Sequence, residues 1–168
     1  MTTSPRRRTT ALVAAALATA ALGAATATPA AAVELFPAPP APLPAGAQLV
    51  LDRTNAARAL AGCAPLAEAP AMTATAAAHS TEMAVTGVLS HRGVDGSSAR
   101  VRLAAHGVQA WRTAENVAQG YDAATVVDAW LGSPGHRANL LDCRLTHVGI
   151  AEAPSPVGTY WTQVFANF

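Results

Sequence analysis

The periodicity of this chain changes near its end, and that change limits the fold more than any single residue does. From Ala47 to Leu131 apolar residues recur at three- and four-residue steps, the spacing of helices with one buried face. The closing segments THVGIAEA and TYWTQVFANF are rich in β-branched and aromatic residues. The turn signal PSPVG separates them, so they read as an antiparallel hairpin. Helices followed by strands predict the α+β class, with helices packed on a small antiparallel sheet.

The helical part divides at its glycines and prolines. A first helix runs from Ala47 to about Leu60, with Val50, Thr54, Ala57 and Ala61 on its inner face and Asn55 and Arg58 on another. Gly62 is placed to end it. A second helix starts at Pro70, where proline suits the first turn, and runs to about Val85. Its stripe of Met72, Ala76, His79 and Met83 predicts His79 as a core histidine bonded to backbone. A shorter third helix covers Ser98 to His106. A fourth covers Ala123 to Leu131, with Asp122 as its N-cap and the run Gly132 to Gly135 breaking it. Residues 108–121 read as extended or irregular, with Trp111 in the core and Glu115-Asn116-Val117 as no more than a strand fragment. Trp161, Val164 and Phe168 are expected to pack on the helices.

The first residues belong to export rather than to the fold. MTTSPRRRTT is basic, ALVAAALATAALGAATA is apolar and uncharged, and Ala30, Ala31 and Ala32 form a small-residue cleavage pattern. Residues 1–32 therefore read as a secretory signal peptide cut after Ala32, leaving no transmembrane anchor. Residues 33–46 contain five prolines and read as an extended linker. The domain is then residues 47–168. Removal of Arg6, Arg7 and Arg8 with the leader leaves eight arginines and no lysine against ten acidic residues, a formal charge of −2. Without a basic run the mature chain lacks the footprint of a nucleic-acid binder. In an exported chain the two cysteines, Cys63 and Cys143, suggest one disulfide. Closing that roughly 80-residue loop stabilises by about 4–5 kcal/mol in the chain-entropy picture.

Three polar residues on loops or element ends stand apart from the apolar pattern. They are His91 in LSHRGVDG, Glu115 in ENVA and His136 in SPGHR. Two imidazoles and one carboxylate can hold zinc or another divalent cation, and the same set can do acid–base chemistry without a metal. Asn116 and Ser133 stand beside them, as donors supporting the site or as turn and capping residues. Ser133 precedes a proline at a helix end and lacks the strand–turn–helix setting of a nucleophilic serine. His106 and His147 read as surface or packing residues.

The order of motifs is more specific than these residues alone. Asn55 and Arg58 form N-x-x-R, followed by A-x-x-H-S-x-x-M-A, S-H-R-G-x-D-G, E-N-V-A, W-x-x-S-P-G-H-R-x-N-L-L, T-H-V-G-I-A and Y-W-T-Q-V-F. Over residues 48–168 the chain resembles the superfamily of cysteine-rich secretory, antigen 5 and pathogenesis-related 1 proteins, in its bacterial SCP-like extracellular branch. The resemblance implies an α-β-α sandwich, about four helices flanking a three- to four-stranded antiparallel sheet. It also implies a central cleft with two histidines and two acids, of which His91, Glu115 and His136 supply three. The position of the other acid falls on Ser133, so one carboxylate is missing.

These readings favour a secreted, monomeric binding module over an enzyme. Its expected ligand is a small apolar molecule such as a lipid, a divalent cation such as zinc that the fold does not require, or a cell-envelope component. The competing reading is a metal-assisted or acid–base hydrolase using His91, Glu115 and His136.

Overall fold

The computed structural model describes Met1 and residues 41–168. The segments expected to be a signal peptide (residues 1–32) and a linker (residues 33–46) lie, but for Met1 and residues 41–46, outside the described residues. Within the unit Pro39–Phe168, five helices and four strands follow one another: α1 (Ala45–Leu60), β1 (Ala67–Glu68), α2 (Pro70–Thr86), α3 (Ala99–Ala105), β2 (Arg112–Gln119), α4 (Val126–Gly132), α5 (Pro134–Leu140), β3 (His147–Ala153) and β4 (Tyr160–Asn167). Ala45 and Gly46, read from the sequence as linker, already belong to α1.

The strand order is β1-β3-β4-β2. The β3–β4 hairpin is antiparallel, pairing Ile150 with Gln163, and β2 adds to β4 antiparallel, pairing Glu115 with Val164. The sheet is not purely antiparallel as expected, because the two-residue β1 lies parallel to β3. Such a short edge follows directly from its position between α1 and α2, and no periodicity could be seen in it.

The period of two along the strands sorts the core into two layers. Val148, Ile150, Trp161 and Phe165 face α1, α4 and α5, and pack with Val50, Val127 and Trp130. Val164 and Ala166 face the other way, against Met72 and Ala76 of α2 and Leu103 of α3. The result is the expected sandwich, with helices on both sides of the sheet. Gly149 lets α2 approach that closely: a Cβ there would collide with the main-chain carbonyl of Met72.

Several local expectations are corrected. The eight-residue β2 replaces the fragment expected at Glu115-Asn116-Val117, and pairing with β4 along its length makes it a full strand. The chain restarts as a helix straight after Gly132 and Ser133, because Pro134 at the first position of α5 is suited to starting a helix as well as stopping one. Asp122 does not cap α4 through its carboxylate; its carbonyl accepts from the Thr125 and Val126 N–H groups. Arg58, placed apart from the inner stripe in the sequence, is fully buried. Its guanidinium donates to the carbonyls of Ala64, Leu140, Asp142 and Leu145, at 2.8–3.1 Å. Trp111 and Phe168 are exposed rather than packed in the core. Cys63 and Cys143 are joined in the expected disulfide, with Cα atoms 4.9 Å apart.

Candidate functional site

The site forms at the free edge of β2. Successive side chains of a strand point to opposite faces, so Glu115 and Asn116 leave it in opposite directions. Glu115 shares its face with α2 and α3, and Asn116 shares its own with Gln163. The loop after α2 reaches the edge from one side and α5 from the other. His91 and His136 arrive on these two pieces, their ring centroids 6.5 Å apart and the rings inclined at 47°.

Edge strands leave a row of unpaired carbonyls, and here the α4–α5 segment covers them. The indole N–H of Trp130 donates to the Val117 carbonyl at 3.2 Å. The Asn139 amide donates to the Glu115 carbonyl at 3.1 Å and to the Asn116 side-chain oxygen at 2.9 Å. Asn116, fully buried, donates in turn to the His136 carbonyl at 3.3 Å. Asn116 therefore stands behind the cleft and fixes the turn of helix that carries His136. Asn139 was not singled out from the sequence; its spacing of three from His136 within H-R-x-N was the available signal.

His91 is positioned by α2. The core histidine His79, buried as expected, contacts the Ser90 carbonyl through Nε2 at 2.9 Å and the Glu82 carboxylate through Nδ1 at 3.0 Å. Glu82 also accepts from the Val94 N–H at 2.8 Å. One buried side chain and its acidic partner thus hold both flanks of the His91 loop.

Glu115 is nearly buried, and both its carboxylate oxygens are engaged. Oε1 meets His91 Nδ1 at 3.0 Å, and Oε2 accepts from Arg102 Nη2 at 2.6 Å. Arg102 also donates to the Ser97 carbonyl at 2.9 Å, joining α3 to the same loop. Sequence reading missed Arg102. One of two arginines on a seven-residue helix carries no motif, and its partner is thirteen positions away on a strand whose extent was not visible.

The two imidazoles are driven apart in acidity. The hydrogen bond that His91 donates to the Glu115 carboxylate raises the His91 pKa above its ordinary 6.5, against burial and the Arg102 charge. Burial lowers that of His136 below 6.5, and the neighbouring His91 lowers it further. Between the β2 edge and α4–α5 lies an open cavity of about 390 Å³. Leu89, Val117, Tyr121 and Trp130 supply its apolar wall, and Ser133 and His136 its polar side.

His91, Glu115 and His136 meet at one place, but Glu115 is turned toward Arg102 and His91. Among the described residues no three His, Cys, Asp or Glu side chains converge as a metal-holding group. The arrangement therefore does not fit a preformed three-ligand metal site. Among the described residues no helix is long and apolar enough to cross a membrane.

Helices on both sides of a four-stranded sheet, a buried glutamate held by a loop histidine and an arginine beside a helical histidine, and a long-range disulfide together define the class. The chain belongs to the CAP (cysteine-rich secretory protein) family, whose pattern it matches over residues 51–165. It is 32% identical over 117 residues to the uncharacterised protein YkwD of Bacillus subtilis, covering 69% of this chain and 45% of that protein. An extracellular, SCP-domain protein of Bacillus anthracis superposes with a TM-score of 0.67 at 26% identity, over 77% of this chain and 45% of the other. An outer surface protein of Borrelia burgdorferi shares the fold, with a TM-score of 0.69 at 17% identity over 73% and 92% of the two chains. The chain thus spans under half the length of the curated relatives it matches.

Proposed function

We propose that this protein acts outside the cytoplasm as a binding module, and that its ligand is a small, largely apolar molecule with one polar group. The apolar part would lie against Leu89, Val117, Tyr121 and Trp130, and the polar group would reach His136 and Ser133. The engagement of Glu115 carries this reading: its carboxylate is spent on Arg102 and His91, so it is not free as a general base or as a first choice of cation ligand. An extracellular setting is supported by the disulfide and by the leader read from the sequence.

A thermal-shift titration of the mature protein against a lipid panel tests the reading, with zinc, calcium and magnesium as a parallel arm. The expected result is a saturable rise in Tm with at least one lipid, reduced in Leu89→Ser. A rise with a divalent cation alone, lost in both His91→Ala and His136→Ala, would assign the cleft to a metal instead.

The opposed acidities of His91 and His136 favour one second reading, an acid–base hydrolase in which His91 donates a proton and His136 accepts one. Turnover of an ester or peptide substrate that survives His136→Ala unchanged would remove it.

A further inference from the structure

Trp111 lies immediately before β2, on backbone pinned from three directions. Its N–H donates to the Asn167 carbonyl at 2.9 Å. Its own carbonyl accepts from Arg100 Nη2 at 3.2 Å, and the carbonyl of Ala110 accepts from Arg100 Nη1 at 2.6 Å. The indole nevertheless stands in solvent, 88% exposed, whereas Trp130 and Trp161 are 1% and 0% exposed. A mobile loop could expose a large aromatic ring incidentally; a chain segment held this firmly presents it in a fixed place. Leaving such a ring in water forgoes roughly 2–3 kcal/mol of burial.

The β2–β4 register supplies a second ring. Arg112 is opposite Asn167, so the next step along the two chains sets Trp111 opposite Phe168. Phe168 is 52% exposed, and its ring stacks on His147 with centroids 4.3 Å apart and planes 19° from parallel. Trp111 and Phe168 line one open groove of about 420 Å³ together with Gln109 and Ala110.

The chemistry of this groove is specific in what it lacks. No charged side chain lines it. The cations nearest in sequence are already committed: Arg100 to the two carbonyls above, and Arg112 and Arg144 to the Asp142 carboxylate. The polar group on the lining is the amide of Gln109, which has no hydrogen-bond partner among the described residues. Two aromatic rings and one planar amide, with no charged side chain among them, match an uncharged pyranose ring. Its C–H face covers an aromatic plane, and its hydroxyls exchange hydrogen bonds with an amide. We propose that the Trp111–Phe168 groove is a second binding site, separate from the histidine cleft, for a neutral oligosaccharide.

The three tryptophans make the test direct. Trp111 is the solvent-exposed indole, so the long-wavelength edge of the emission reports this groove. The full chain is titrated with cellotetraose and with N-acetylchitotetraose, each to about 10 mM, a concentration that saturates even a millimolar site. The expected result is a saturable blue shift with at least one sugar, unchanged in about 0.5 M NaCl because no ion pair is formed. Phe168→Ala retains the reporter and is expected to weaken binding about 3- to 10-fold. In saturation-transfer NMR the sugar C–H signals are expected to disappear with Trp111→Ala, whose folding is checked by circular dichroism. No saturable shift with either sugar overturns the proposal, as does a transfer signal that survives Trp111→Ala. Sedimentation showing a sugar-independent dimer that Trp111→Ala dissolves would overturn it in favour of self-association.

Discussion

Arg102 decides what Glu115 can be. A carboxylate this deeply placed needs partners for its charge, and Arg102 and His91 supply them. Replacing Arg102 with methionine leaves that charge partly desolvated beside His91 alone and is expected to cost about 3 kcal/mol, measured by urea unfolding. Glu115→Gln keeps the shape while removing the main cause of the raised His91 pKa, so the His91 titration followed by NMR should fall back toward 6.5. The sign for stability follows. His91 binds its proton more tightly folded than unfolded, so its contribution is fully present below pH 6.5 and is lost as pH rises through the higher folded value. His136 has the opposite sign: its contribution is present above pH 6.5 and lost as pH falls through its lowered folded value. In His91→Ala the His136 titration should move up, because the cationic neighbour that helps depress it is gone. A His136 pKa that stays put in that variant would mean burial alone sets it. The residues of the cleft were legible in the sequence because polar, titratable side chains outside the apolar pattern are conspicuous. Arg102 was not, since only the folded strand β2 brings Glu115 into its reach.

At the scale of elements, the motif W-x-x-S-P-G-H-R-x-N acts as a cover for E-N-V-A. Trp130 and Asn139 satisfy the outward carbonyls of Val117 and Glu115, which closes an edge that would otherwise invite pairing with another chain. Trp130→Phe keeps most of the packing and removes one donor, for an expected loss of about 1–2 kcal/mol. Asn139→Ala removes both of its bonds and frees the helix that holds His136, so it should also speed amide exchange in β2 and α5. Fast exchange confined to α5 would show that β2 does not depend on this cover. The two motifs could be seen in the sequence, but their contact could not. Reading Gly132–Gly135 as a break hid α5, because proline both ends one helix and starts the next. Reading Trp111 as core treated an aromatic residue as apolar surface to be buried, without the strand register that places it at a rim. The stripe on α2 was clear because Met72, Ala76, His79 and Met83 repeat over three turns, and all four are buried.

Across the whole molecule, two devices of different kind fasten one seam, where the end of α1 meets the connection from α5 to β3. The Cys63–Cys143 bond crosses it covalently. Arg58 crosses it with a guanidinium spread over the carbonyls of Ala64, Leu140, Asp142 and Leu145. The disulfide was legible from two cysteines in a chain whose first residues read as an export signal. Arg58 was read only as sharing a face with Asn55, apart from the inner stripe, because helical periodicity counts a charge as polar, whereas four main-chain carbonyls can replace its water. In the chain-entropy picture the disulfide acts on the unfolded ensemble, and its removal in a Cys63→Ser, Cys143→Ser variant should cost about 4–5 kcal/mol. Arg58→Met acts on the folded state, leaving buried carbonyls without donors, at about 3 kcal/mol or more. Two effects on different states should add to within about 0.5 kcal/mol in a double-mutant cycle even though the groups are neighbours. A coupling well above that would mean the covalent bond also holds the native seam closed, and hydrogen exchange at Leu145 and Thr146 should then rise in the cysteine variant alone.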